Sequence, residues 1–342
     1  MRIEPTHETL TEYVKPSVDF SAKGKTPYLS SSGLKGLLSG SVGSQETHAL
    51  AYGSLVHSYL ELMIEQKEPE IVSSSQLPFS SVFGQRIYNG EIKDKNVLWI
   101  RGAKTSPQNK LAIADEEFST GEREGTDFFA IEERYQELFD KISRQEVMPV
   151  TGTDEKMLRS MVERLRPVVE SYLGSLYVEC EESFYIPWKI LQGKLNSMPD
   201  FLRPLVEVMK QLKRGMKVRY DVRGEGMLLD WKTFSGGTVD AVMSEMNRRQ
   251  YWLQLAYYLM AAYALGFNIG NFVFVFCPKT MGNFKPIILR FSPNTPRNAF
   301  TLENKLKEML NVDLDLALRV ERMRKTEKCV TLEGDLLRKL MG

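Results

Sequence analysis

Cysteine is scarce and poorly placed for pairing. Cys180, Cys277 and Cys329 are odd in number, far apart and without C-x-x-C spacing, which argues against a disulfide framework, a zinc site or an iron–sulfur cluster and for a reducing compartment. Net charge is lacking as well: 45 basic residues stand against 44 acidic ones, leaving +1. Any binding to nucleic acid must then come from local patches rather than a global field. The chain has no GxxxxGK[ST] loop, so it carries no phosphate-loop motor of its own. Met1 to Phe20 is charged throughout and has no apolar core of signal-peptide length, so a cytoplasmic protein is expected. The most apolar stretch, Tyr251 to Cys277, is interrupted by Gln254, Asn268 and Asn271 and broken at Gly266 and Gly270. It reads as a buried helix followed by a buried strand, not as a membrane span.

What is present is an ordinary globular composition, 42% apolar and 26% charged over 342 residues, enough for one large domain or two modest ones. Residues 1–25 are polar and aperiodic and read as an arm. Ser30, Ser31 or Ser32 can cap a short helix through Leu34, Leu37 and Leu38. Leu55, Tyr59, Leu62 and Met63 recur at helical spacing after Gly53, predicting a helix from Ser54 to about Gln66 with His57 and Glu61 on one face. Val97 to Ile100 looks like a strand, and Asp115 to Asp127 is a charged run. Helices are predicted over Ala130–Arg144 and Asp154–Leu173, the second capped by Thr151 or Thr153, with a strand at Leu176–Trp188 after it. Further elements are a helical stretch at Arg203–Lys213, one long helix over Ala241–Leu265, strands at Phe272–Phe276 and Pro286–Phe291, and a last helix over Pro296–Arg324.

The chemistry-bearing segment is Lys217 to Thr233, where Gly224-Glu225-Gly226 separates two strand-like runs. With Glu225 and Gly226 as a two-residue turn, Asp221 and Asp230 fall opposite each other, roughly 4.5–5.5 Å apart at Cβ. Opposed carboxylates destabilise a hairpin unless a cation sits between them, and an all-oxygen set favours Mg²⁺ or Mn²⁺ over zinc. Lys232 shares the face of Asp230, Trp231 points to the other. Two carboxylates that hold one or two metal ions, with an ammonium beside them, suit phosphodiester hydrolysis. An Asp-x-Lys pair taken alone is far more often a surface ion pair. The run Met227-Leu228-Leu229 ahead of Asp230 speaks for the former, because it makes the carboxylate emerge from a buried strand. Gln250, Gln254 and Tyr257 form one polar stripe on the long helix, and Arg248 and Arg249 could touch a phosphate backbone or merely solvate the helix.

Taken in order, Gly53-Ser-Leu-Val-His57, Glu182-Ser-Phe, Lys217-Val-Arg-Tyr-Asp221, Asp230-Trp-Lys232-Thr and Gln254-Leu-Ala-Tyr257-Tyr resemble the motif series of the RecB-like nucleases of the PD-(D/E)XK superfamily. The match extends roughly over Tyr28 to Phe276 and is nearest to RecE-type exonucleases, including phage and prophage proteins of the exodeoxyribonuclease VIII-like kind. The resemblance implies an α/β fold with a central mixed sheet flanked by helices, and one nuclease domain over residues 26–342. It implies Asp221 and Asp230 as metal ligands with His57 near the metals, Lys232 as the catalytic lysine, and Gln254 and Tyr257 in support of the site or in contact with DNA. Glu182 would match an upstream acidic position, with Glu181 leaving the register open.

Two features depart from the pattern. The third acidic position is Asp230 rather than glutamate, and residues 189–216 intervene as an insertion. Its Arg203, Lys210, Lys213 and Arg214, followed by Lys217, Arg219 and Arg223, form the most basic region, a DNA-contacting flap or a solvated helix face. The resemblance further implies two Mg²⁺ (or Mn²⁺) ions and linear double-stranded DNA as substrate, digested 5′ to 3′. With it come a ring-shaped homo-oligomer, a single-strand annealing protein as partner and a bacterial, phage- or prophage-encoded setting. A PD-(D/E)XK endonuclease and an inactive DNA-binding version of the fold are the alternatives.

Overall fold

The computed structural model describes residues 28–39, 48–77, 81–89, 97–100, 110–113, 128–130, 133–173, 178–279, 285–312, 314 and 317–318. The expected arm at 1–25, the charged run Asp115–Asp127 and most of the last expected helix beyond Met309 lie outside them. In chain order the elements are β1 (Tyr28–Leu29), α1 (Ser31–Ser39), α2 (His48–Ile64), β2 (Glu70–Ser73), α3 (Ser81–Tyr88), β3 (Val97–Ile100), β4 (Lys110–Ile113), β5 (Phe128–Ala130), α4 (Glu133–Ser143), β6 (Val147–Val150), α5 (Gly152–Leu173) and β7 (Val178–Ile186). Then follow α6 (Trp188–Leu195), α7 (Arg203–Leu212), β8 (Gly215–Gly224), β9 (Met227–Phe234), α8 (Val239–Arg248), α9 (Tyr251–Leu265), β10 (Asn271–Pro278), β11 (Ile287–Phe291) and α10 (Pro296–Met309).

The fold is α/β. Its central sheet is mixed, in the order β1-β8-β9-β10-β11 with β7 also on β8. β9 and β10 run parallel, joined by the α8–α9 crossover, whereas β7–β8, β8–β9 and β10–β11 are antiparallel. Parallel pairing with both faces covered explains why β10 is buried over Phe272 to Pro278 instead of alternating. Two smaller sheets, β2–β6 and β4-β3-β5, lie outside this path.

Helices cover the sheet on two sides, each with its own core. One core gathers Leu34 of α1, Leu191 of α6, Met209 of α7, Leu253 and Ala256 of α9 and Leu302 of α10 against Phe184, Tyr220, Leu228 and Phe274. The other gathers Val56 and Leu60 of α2 and Leu158 and Leu165 of α5 against Val222, Leu229, Trp231 and Val273. Among the described residues, no helix is long and apolar enough to cross a membrane. The 189–216 insertion is not a flap: Leu191, Leu202, Leu205 and Met209 are all buried in the first core. Its cations sit outside, Arg203 paired with Asp200 at 2.7 Å and Lys210 with Glu207 at 3.0 Å. Met209→Ala is therefore expected to cost about 2–5 kcal/mol in a urea melt; a loss below ~1 kcal/mol would mean that the insertion does not belong to the core.

Two expected boundaries move. The helix bearing His57 starts at His48, with Gly53 inside it, since Tyr52 and Val56 are buried and the packed face runs on past the glycine. The single helix over Ala241–Leu265 is two helices, parted at Gln250, which adopts a left-handed conformation with φ 53°.

Candidate functional site

The site lies where β8 and β9 part. The Glu225-Gly226 turn, with Gly226 at φ 70°, sets the pairs Gly224↔Met227, Arg223↔Leu228 and Val222↔Leu229, and there the ladder stops. The next pair in register would be Asp221 and Asp230. On the same edge of β8, β1 takes up only Gly215 and Met216, so among the described residues no strand pairs with 217–221 on that edge, while β7 pairs along the other. Gly215 permits that entry, because a Cβ there would meet the Ile186 carbonyl at 2.6 Å and the Tyr28 ring at 2.8 Å.

Side chains fill the opening. Asp221 Oδ2 accepts the Trp231 N–H at 2.8 Å, and His57 Nε2, facing the Trp231 carbonyl at 3.1 Å, donates to it. A carbonyl can only accept, so Nε2 carries a proton, and Nδ1 faces Asp221 Oδ2 at 3.5 Å and Glu181 Oε1 at 3.9 Å. Burial works against an imidazolium here, but the carboxylates of Asp221 and Glu181 outweigh it and raise the His57 pKa. His57, Glu181 and Asp221 each place one ligand atom within 4.8 Å of the others. An imidazole and two carboxylates, none of them exposed, suit a divalent cation held largely by oxygen.

A matched irregularity in two strands brings Glu181 into this group. The β7–β8 ladder pairs Cys180 with Val222 and Glu182 with Tyr220 but skips Glu181 and Asp221, and Glu181 has φ 51°. Tyr220 belongs to one core and Val222, two residues on, to the other, so alternation slips by one at Asp221. This corrects the expected acidic position. Glu182 stands apart from the cluster, its carboxylate gripped by the Arg223 guanidinium on the side of Tyr220. Arg219 lies at the site, its Nε 2.7 Å from Glu181 Oε2. Glu61, one turn beyond His57, is pushed up to about 7 by burial and then by Glu181.

Asp230 and Lys232 occupy the other flank. Asp230 is 1% exposed and lies against the Lys232 ammonium, while Gln254 Nε2 donates to its Oδ1 at 2.8 Å. Burial pushes its carboxyl up to about 6, against the pull of Lys232. The ammonium itself is disfavoured by burial but held above its ordinary pKa by Asp230 and Asp221. At neutral pH the two form an ion pair. The expected ladder pairing of Asp221 with Asp230 is not made: the β8–β9 ladder ends one step before it, Asp221 faces His57, and Asp230 faces Gln254 and Lys232.

The expected stripe on one long helix reduces to Gln254. Gln250 sits in the joint before α9, its carbonyl accepting the Leu253 N–H at 3.1 Å. Tyr257 is fully buried and its hydroxyl donates to the Leu29 carbonyl, so it ties α9 to β1 and touches nothing from solution. Tyr257→Phe should cost about 1–3 kcal/mol by leaving that carbonyl unsatisfied, measured by urea melting; an unchanged midpoint would remove this role. Arg248 and Arg249 are exposed at the end of α8 and both pair with Glu245.

Sequence reasoning missed Lys35. Packing of α1 on α9 brings its Nζ to 3.0 Å from the Arg249 carbonyl and 5.2 Å from the Tyr251 ring centroid, while Lys232 Nζ lies 5.1 Å from the same centroid. Burial, then the charge of Lys232, lowers the Lys35 pKa to about 7. A lysine on a short helix gives no signal in the sequence; only the helix packing reveals it.

No protein-family model matches the chain, and the comparison with curated proteins likewise returned no match.

Proposed function

We propose that the protein is a metal-dependent nuclease with a PD-(D/E)XK core of the RecB/RecE-like kind, digesting linear double-stranded DNA from its ends. The observation that carries the reading is the opening between β8 and β9, where His57, Glu181 and Asp221 converge beside the buried Asp230–Lys232 pair. That His57, Asp221, Asp230, Lys232 and Gln254 meet at one opening, from segments far apart in sequence, supports the motif series that suggested it.

His57 Nδ1, Glu181 and Asp221 would hold a divalent cation, with Asp230 in reach of a second. Mg²⁺ or Mn²⁺ bound there supplies an acidified water and charge neutralisation at the phosphoryl oxygens. The Trp231 carbonyl orients His57 by accepting the hydrogen bond of its Nε2–H and so leaves Nδ1 for coordination. Gln254 fixes the rotamer of Asp230. Lys232, kept protonated by two carboxylates, is placed to steady the attacking water or a non-bridging oxygen of the scissile phosphate. Digestion from 5′ ends, a ring-shaped assembly, an annealing partner and a phage or prophage setting in a bacterial cell follow from the resemblance alone. The test is incubation of the full chain with linear duplex, with Mg²⁺ and with chelator: acid-soluble nucleotides are expected only with the metal, and none under either condition overturns the reading.

A further inference from the structure

We propose that Lys35 binds a phosphate of the nucleic-acid backbone beside the one that reacts, an assignment that rests on the nuclease reading. Two ammonium groups, Lys35 and Lys232, flank one tyrosine ring, Tyr251, both within the distance at which a cation is held by an aromatic face. The carboxylate nearest them, Asp230, is engaged by Lys232 and Gln254. Lys35 has no carboxylate within ion-pair distance among the described residues, and the Arg249 carbonyl takes one of its three N–H donors. A half-buried cation with donors to spare, next to a second cation, is costly in the free protein, and an anion offsets that cost. Lys35 thus places an amine without a carboxylate partner on the α1–α9 side of the opening, apart from the side where Glu181 and Asp221 gather carboxylates around His57. A phosphodiester backbone crossing the opening meets both requirements, since the oxygens of one phosphate answer Lys35 while the neighbouring phosphate lies at the carboxylates and Lys232.

Lys35→Met keeps the apolar stem and removes the charge. Binding of a short fluorescein-labelled linear duplex, without divalent ions, is followed by anisotropy across a salt series together with thermal melting. The variant is expected to bind about tenfold more weakly at moderate salt, with a slope of log K against log salt shallower by about 0.9, and to melt at or above the wild-type temperature. Wild-type affinity and slope in the variant would overturn the proposal, and so would a lowered melting temperature, which marks a packing role. If the unaltered chain binds duplex but never digests it with Mg²⁺, the nuclease reading falls and the reacting phosphate with it, while the backbone contact of Lys35 alone stands or fails on the slope. If the unaltered chain does not bind duplex, both fall.

Discussion

Lys232→Met is expected to lower the proposed Mg²⁺-dependent digestion of linear duplex by about a thousandfold, the scale of losing one preorganised charge at a reacting phosphate. The same change strands Asp230, 1% exposed, without its cation. Removing one partner of a buried pair costs about 3–5 kcal/mol, most of it the penalty of the charge left behind. Asp230→Asn is expected to lose activity to a similar extent. The two together recover most of the stability, since neither charge then remains to be solvated, but restore no cleavage. Urea melts and initial digestion rates on the two single variants and the double variant separate the effects. Digestion at the wild-type rate by Lys232→Met or by the double variant would remove these residues from the reaction. A double variant less stable than either single one would contradict the pair as described.

The second large effect concerns the ends of the substrate. Linear duplex is expected to be consumed with Mg²⁺ while matched covalently closed circles survive, because an exonuclease requires a terminus. Ca²⁺ should support binding but little turnover, its looser shell of six to eight oxygens positioning water less well than octahedral Mg²⁺. Gel analysis of the two DNA forms over time checks both points. Closed circles cut as fast as linear molecules would replace the proposed exonuclease with an endonuclease on the same candidate metal ligands. Turnover in Ca²⁺ equal to that in Mg²⁺ would count against the coordination proposed for His57, Glu181 and Asp221.

The hairpin was legible because its determinants are local. A two-residue turn at Glu225-Gly226 and the apolar run Met227-Leu228-Leu229 suffice to set register and to bury Asp230. The cap of α5 was legible for the same reason: Thr151 Oγ1 accepts the Asp154 N–H at 3.3 Å and its hydroxyl donates to Asp154 Oδ2 at 2.6 Å. What escaped depends on contacts between distant segments. Strict alternation along β7 puts Glu181 and Glu182 on opposite faces but does not say which one meets Asp221, because the slip that brings them together is a joint property of β7 and β8. The joint at Gln250 has neither glycine nor proline to announce it, and a non-glycine residue in the left-handed region persists only where its surroundings impose it. There Trp252 Nε1 donates to Asn247 Oδ1 at 3.2 Å, across the joint.

The covering of the central sheet by two separate cores has a consequence for heat inactivation. Gln254 and Lys35 rest on helices of one core, His57 on a helix of the other, and only the strands between them are common to both. Packed units within a protein open with different free energies, the least stable first. Coordination by His57 and restraint of Asp230 by Gln254 would therefore fail at whichever temperature loosens the weaker side. Activity should vanish before the far-ultraviolet signal of the remaining helices, and bound cation, by tightening the α2 side alone, should delay that loss only if this side is the weaker one.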